Sequence, residues 1–172
     1  GFSINSFEPD PIHIAVFQEN IINNKSTKIT INQKAISDKS GSMDFIRVLG
    51  NTTGSHLAGA KEDPYGELET FSVETVDINT VLLNNDFVKM DIEGQEATAI
   101  LSTKKDTWAN VEMILEVGTE KNAEIIFEYL NKINVNMFSQ KTGWNKVSNL
   151  ADVPTSYKEG SLFLSVADEM SW

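Results

Sequence analysis

The sequence contains no cysteine. That excludes disulfides, thiolate zinc sites and a cysteine nucleophile. Histidine is scarce too, with two residues, and Arg47 is the only arginine. Acidic residues number 25 against 14 basic ones, giving a net charge of −11. Such a field repels phosphate backbones, and no lysine cluster offsets it locally, so nucleic acid is not an expected partner. The same charge also serves plain solubility. No apolar run approaches the roughly 20 residues a membrane-crossing helix needs, and no basic-then-apolar leader opens the chain. A membrane partner is therefore not expected, and the cytoplasm is the default compartment.

What is present suits one globular domain. The chain has 172 residues, 40% of them hydrophobic, and a domain of that size buries roughly 70% of its unfolded surface. Residues 2–7 read as a strand, followed by Asp10 as an N-cap and Pro11 at the first helical position, where its missing N–H costs nothing. Ile14, Phe17, Ile21 and Ile22 then predict one inward helical face. Strands are predicted over residues 27–31, 43–49 and 69–76, and residues 50–66, with four glycines, read as a long surface loop. Asp77 caps a short helix. Residues 86–91 read as a buried central strand leading into a helix with Ala97, Ile100 and Leu101. Residues 111–117 form a further strand, and Ala123, Ile126, Phe127 and Leu130 define an amphipathic helix. Residues 135–138 and 161–166 supply the last strands. This alternation predicts an α/β fold on a mostly parallel sheet with helices on both faces. Some antiparallel pairs are expected over residues 27–76 and near the C-terminus.

Three segments occur in a telling order: Phe7-Glu8-Pro9-Asp10-Pro11, then Ala35-Ile36-Ser37-Asp38, then Lys89-Met90-Asp91-Ile92-Glu93-Gly94-Gln95-Glu96. Together they resemble the F-E-P-x-P, A-[VI]-S-D and K-x-D-[IV]-E-G-x-E segments of the FkbM family of S-adenosylmethionine-dependent methyltransferases. The resemblance implies a Rossmann-like methyltransferase fold across residues 1–172 and S-adenosyl-L-methionine as cofactor. It implies that Glu8 accepts hydrogen bonds from the ribose hydroxyls, the alternative being a carboxylate that merely flanks a helix. Asp38 would meet the adenine amine and Ile36 its ring, or Asp38 would simply begin the turn into Gly41. Asp91, on the ligand edge of an open sheet, can bind the methionine amino group, orient an acceptor hydroxyl or act as its base. Glu93 is the second catalytic candidate. Glu93 and Glu96 share a helical face, where carboxylates also favour the macrodipole. Carboxylates of this kind suit a hard cation, yet the sequence assigns no metal ligand.

His56, in the glycine-bearing loop, can be a general base near neutral pH or a solvated loop residue. His13 reads as structural. Glu116 and Trp144 can line an acceptor pocket or simply pack.

One family segment is missing. The D-x-G-x-N-x-G loop that holds the methionine part of the cofactor should precede the F-E-P segment, and the sequence begins seven residues before Glu8. Gly50, Gly54 and Gly59 lack the strand and acidic residue that would make them a substitute. The natural protein is therefore expected to be longer, with weak cofactor binding by these residues alone and exposed strand edges that leave homo-oligomerisation open. The expected activity is O-methylation of a sugar or small-molecule hydroxyl. The competing expectation is a non-catalytic Rossmann-like interaction module. No G-x-G-x-x-G opens a helix, which argues against a nucleotide-binding oxidoreductase.

Overall fold

A computed structural model describes residues 1–25, 28–50, 54–60 and 66–171. The chain divides into two compact units, Gly1–Val76 and Asp77–Trp172.

In the first unit, strand β1 (Ile4–Phe7) leads into helix α1 (Pro11–Asn23). Asp10 caps that helix by accepting from the Ile12 N–H, and Pro11 takes the first helical position. β1 pairs in parallel with β2 (Ile29–Asn32). The inward face of α1 is narrower than its spacing predicts: Ile14 is buried, but Ile22 is 73% exposed. A second sheet follows from β3 (Ala35–Ser37), β4 (Gly41–Val48), β5 (His56–Leu57) and β6 (Leu68–Asp77), in the order β3-β6-β4-β5. β4 pairs antiparallel with both β5 and β6. Ala35, Phe45, Leu57 and Val73 form its buried cluster, with Met43 and Phe71 packed against it.

The second unit comprises α2 (Ile78–Leu83), β7 (Phe87–Met90), α3 (Glu96–Ser102), β8 (Glu112–Leu115), α4 (Glu120–Ile133), β9 (Asn136–Ser139), β10 (Asn145–Lys146) and β11 (Leu162–Ser165). Its strands form one sheet in the order β10-β9-β11-β8-β7. Met113 and Leu115 of β8 lie opposite Leu164 and Leu162 of β11, and all four are fully buried. From α4, Ala123, Ile126 and Leu130 are buried, as their helical spacing requires.

Two expectations need correction. The sheet is mixed rather than mostly parallel: β7–β8 is parallel, while β8–β11, β11–β9 and β9–β10 are antiparallel. β7, β8 and β9 run the same way, and the reversal comes from β11, which inserts between β8 and β9 antiparallel to both, and from β10, which pairs antiparallel with β9 after a short connection. The residue 86–91 segment is also not central. Among the described residues β7 ends the strand order, and it is covered on one face only: Met90 is 3% exposed but Phe87 is 46% exposed.

Candidate functional site

In the first unit, Glu8 stands directly after β1, where its N–H donates to the Asn32 carbonyl at 3.1 Å and continues the β1–β2 ladder. Its carboxylate is partly exposed. Oε1 accepts from the Asp10 N–H at 2.8 Å, and His13 Nδ1 lies 3.6 Å from the same oxygen. Among the described residues no hydrogen bond reaches Oε2. The Pro9-Asp10-Pro11 sequence makes this arrangement local: proline fixes the entry to α1, and the Asp10 cap turns its own N–H back toward Glu8.

Asp10 is itself fully buried, and Arg47 grips it through two bonds of 2.7 Å, Nε to Oδ2 and Nη2 to Oδ1. Burial would raise the Asp10 pKa, but the Arg47 bonds and the Ile12 N–H outweigh it and hold the carboxyl below its usual range. Arg47 also bonds Glu69, its cross-strand partner on β6, and its guanidinium lies 4.6 Å over the Phe71 ring. Sequence reading noted Arg47 only for its rarity. The signal that could have found this pair is a lone arginine inside the apolar run Phe45-Ile46-Arg47-Val48, which demands a buried counter-charge.

Ile36 and Asp38 lie at β3. Ala35 points into the Phe45 cluster, so Ile36, also buried, faces the strand's other side. Asp38 is exposed and accepts from Ser37 Oγ at 3.0 Å. His56 is not a solvated loop residue. It belongs to β5, opposite Ile46 of β4, and is 1% exposed. Its Nδ1 lies 2.8 Å from the Gly54 carbonyl. A carbonyl can only accept, so Nδ1 carries a proton. Nε2 is buried, with no hydrogen-bond partner among the described residues.

In the second unit, β7 and β8 run parallel, so their carboxyl ends share one edge, with Asp91 just past β7 and Glu116 just past β8. Asp91 is exposed, with Lys89 Nζ at 3.5 Å. The turn after it is tight: Glu93 and Gly94 both adopt left-handed backbone, at φ 56° and 102°. Glu96 secures that turn, its two oxygens accepting from the Ile92 and Gly94 N–H groups at 2.9 Å each. Burial pushes the Glu96 carboxyl up despite those bonds, and Asp91 adds to the rise. Glu116 is pushed up by burial, then by Asp91, with Lys89 opposing and Glu93 adding. Among the described residues, no three acidic or histidine side chains converge to hold a metal ion. Trp144, at φ 65°, lies apart with Phe138 and Lys146 in an open cleft beside β10.

The sequence model of the methyltransferase FkbM domain matches residues 1–142. The chain belongs to the FkbM methyltransferase family. A crystal structure of methyltransferase FkbM from Methylobacillus flagellatus KT is similar at 13% identity and a TM-score of 0.49, covering 94% of this chain and 36% of its own. The chain thus spans about a third of that protein's length. No curated protein matches. No helix among the described residues is long and apolar enough to cross a membrane.

For an FkbM chain the implied cofactor is a nucleoside, and the carboxylate acceptor at Glu8 suits one. A ribose presents two hydroxyl donors. Glu8 offers a partly exposed carboxylate with one oxygen anchored and the other unengaged among the described residues, at the carboxyl end of a parallel strand.

Proposed function

We propose that this chain is the nucleoside-binding and catalytic part of an S-adenosylmethionine-dependent methyltransferase that modifies a hydroxyl of a sugar or small molecule. The observation that carries the reading is the Glu8 carboxylate with its unengaged Oε2, standing in the F-E-P segment of a chain that belongs to this family. The sulfonium cofactor, when bound, supplies an electrophilic methyl group.

The chain's own residues do the rest. Glu8 accepts from the ribose hydroxyls, and its charge makes those bonds stronger than neutral ones. Asp38, exposed at the end of β3, accepts from the adenine amine, and Ile36 contributes apolar surface. Asp91 binds the methionine amino group or orients the acceptor hydroxyl. The proton leaving that hydroxyl passes to a base: Asp91, with Glu93 beside it, is the candidate of the second unit, and His56, whose Nε2 is buried, is the candidate of the first. Orientation contributes most of the rate, because methyl transfer is an in-line displacement whose entropy cost falls once both partners are held.

The test is a calorimetric titration of the full-length protein with S-adenosylhomocysteine, repeated with Glu8→Gln. Binding that weakens about tenfold to a hundredfold in the variant is expected for loss of a charged acceptor. A full-length protein that does not bind the ligand overturns the methyltransferase reading and leaves an interaction module in its place.

A further inference from the structure

The buried ion pair behind Glu8 has a consequence for ligand recognition. Both Asp10 oxygens are engaged: Oδ1 accepts from the Ile12 N–H and from Arg47 Nη2, and Oδ2 accepts from Arg47 Nε. The guanidinium is itself held on further sides, by Glu69 and by the face of Phe71. A planar fork gripped in this way has one orientation, and so does the aspartate it grips. The Asp10 peptide is then fixed in space, and its N–H is aimed at Glu8 Oε1, 2.8 Å away. His13 lies against that same oxygen. The hydrogen bond and the ion pair that the described residues make to the Glu8 carboxylate thus both fall on Oε1, which leaves Oε2 as the atom to meet a ligand.

From this geometry we infer that Arg47, acting through Asp10, is a positioning residue that sets the Glu8 carboxylate for the two hydroxyls of a nucleoside ribose. The inference rests on the reading of Glu8 as the ribose acceptor. It adds a residue on another strand, 39 positions along the chain, which touches no ligand itself. The pair also caps and anchors α1, and that second job is separable. An anchor serves every ligand alike, whereas a positioning residue acts on the ribose hydroxyls alone.

The experiment compares S-adenosylhomocysteine with its 2′,3′-dideoxy analogue by calorimetry, using the full-length protein, Glu8→Gln, Arg47→Met, Arg47→Lys and the double variant Glu8→Gln with Arg47→Met. Lysine keeps the charge and the apolar stem but cannot form the two-pronged grip, so it supplies a folded protein if the methionine variant fails to fold. The wild type should prefer the ribose ligand by about tenfold, the worth of a charge-assisted hydrogen bond. Both Arg47 variants should lose most of that preference while binding the 2′,3′-dideoxy analogue as the wild type does. The double variant should be no worse than Glu8→Gln alone. Arg47 variants that weaken both ligands equally, keeping the wild-type ratio, overturn the positioning role and leave Arg47 an anchor only. A wild type without preference, or a Glu8→Gln protein that retains it, overturns the reading of Glu8 itself.

Discussion

Asp10 and Glu96 occupy matching places in the two units: each is an almost wholly buried carboxylate at the start of a helix, 0% and 4% exposed. Each also binds backbone N–H groups, Ile12 for Asp10, and Ile92 and Gly94 for Glu96. Their acidities nevertheless move in opposite directions, down for Asp10 and up for Glu96. Burial raises both, and is the largest influence on each. What differs is the neighbouring charge. Arg47 grips Asp10 with two hydrogen bonds, whereas the charge acting on Glu96 is the like one of Asp91. Backbone N–H groups alone do not compensate a desolvated carboxylate; a bidentate cation does. The first unit therefore holds its carboxylate as a fixed anion, and the second holds one that takes up a proton more readily.

The largest effect should come from removing the anion beside the buried cation. Asp10→Ala leaves Arg47 without its main partner and α1 without its cap, at a cost of about 3–5 kcal/mol. Asp10→Asn keeps the cap and loses only the charge, so it should cost about 1–3 kcal/mol. Urea denaturation followed by circular dichroism ranks the two, and equal losses would mean that the ion pair, not capping, dominates. Glu96 should behave differently. Glu96→Ala strands two N–H groups in a turn with left-handed Glu93 and Gly94, costing about 1–3 kcal/mol, whereas Glu96→Gln keeps one of the two acceptors and removes the buried charge, so it should cost less, about 1 kcal/mol at neutral pH.

The pH dependence carries the same contrast. Glu96 has a folded-state pKa above its unfolded one, so its ionisation weakens the fold as pH rises from the ordinary glutamate range through the raised value. Glu96→Gln should flatten that decline. Asp10 has a lowered folded-state pKa, so its contribution is complete above the ordinary aspartate range and is lost as pH falls through the lowered value. A stability profile that falls further in acid for the wild type than for Asp10→Asn would confirm the assignment. Parallel profiles would remove it.

How much of this was legible beforehand follows from how local each cause is. The α1 cap, the Asp77 cap and the α4 stripe are set within a few residues, and each is found where the spacing puts it. Strand pairing is set by distant partners. The run Phe87-Val88-Lys89-Met90 reads as central because it is mostly apolar, yet it lies at the end of its sheet. Parallel and antiparallel neighbours leave the same alternation in a single strand, which is why a mixed sheet read as mostly parallel. His56 was placed in a loop because glycines and hydroxyls surround it; two backbone pairs with β4 were enough to bury it. The Glu8, Asp91 and Glu93 positions came from motif order, but Arg47 could not, since its role depends on an aspartate 37 residues away.

The smallest expected effect is the most local, and it concerns the acidic edge of β7 and β8. Asp91 is among the causes that raise both Glu96 and Glu116, ranking second for Glu116 and last for Glu96. Asp91→Asn should therefore lower both pKa values toward the ordinary range, and Glu116 by more. Side-chain carboxyl NMR titrations read the two residues separately. If both fall in that order, the edge behaves as one coupled group of carboxylates, able to hold a proton near an acceptor hydroxyl. If neither moves, burial alone sets both acidities. Asp91 would then stand electrostatically apart from the carboxylates around it, and its part in the site would be as a ligand contact rather than as a base assisted by its neighbours.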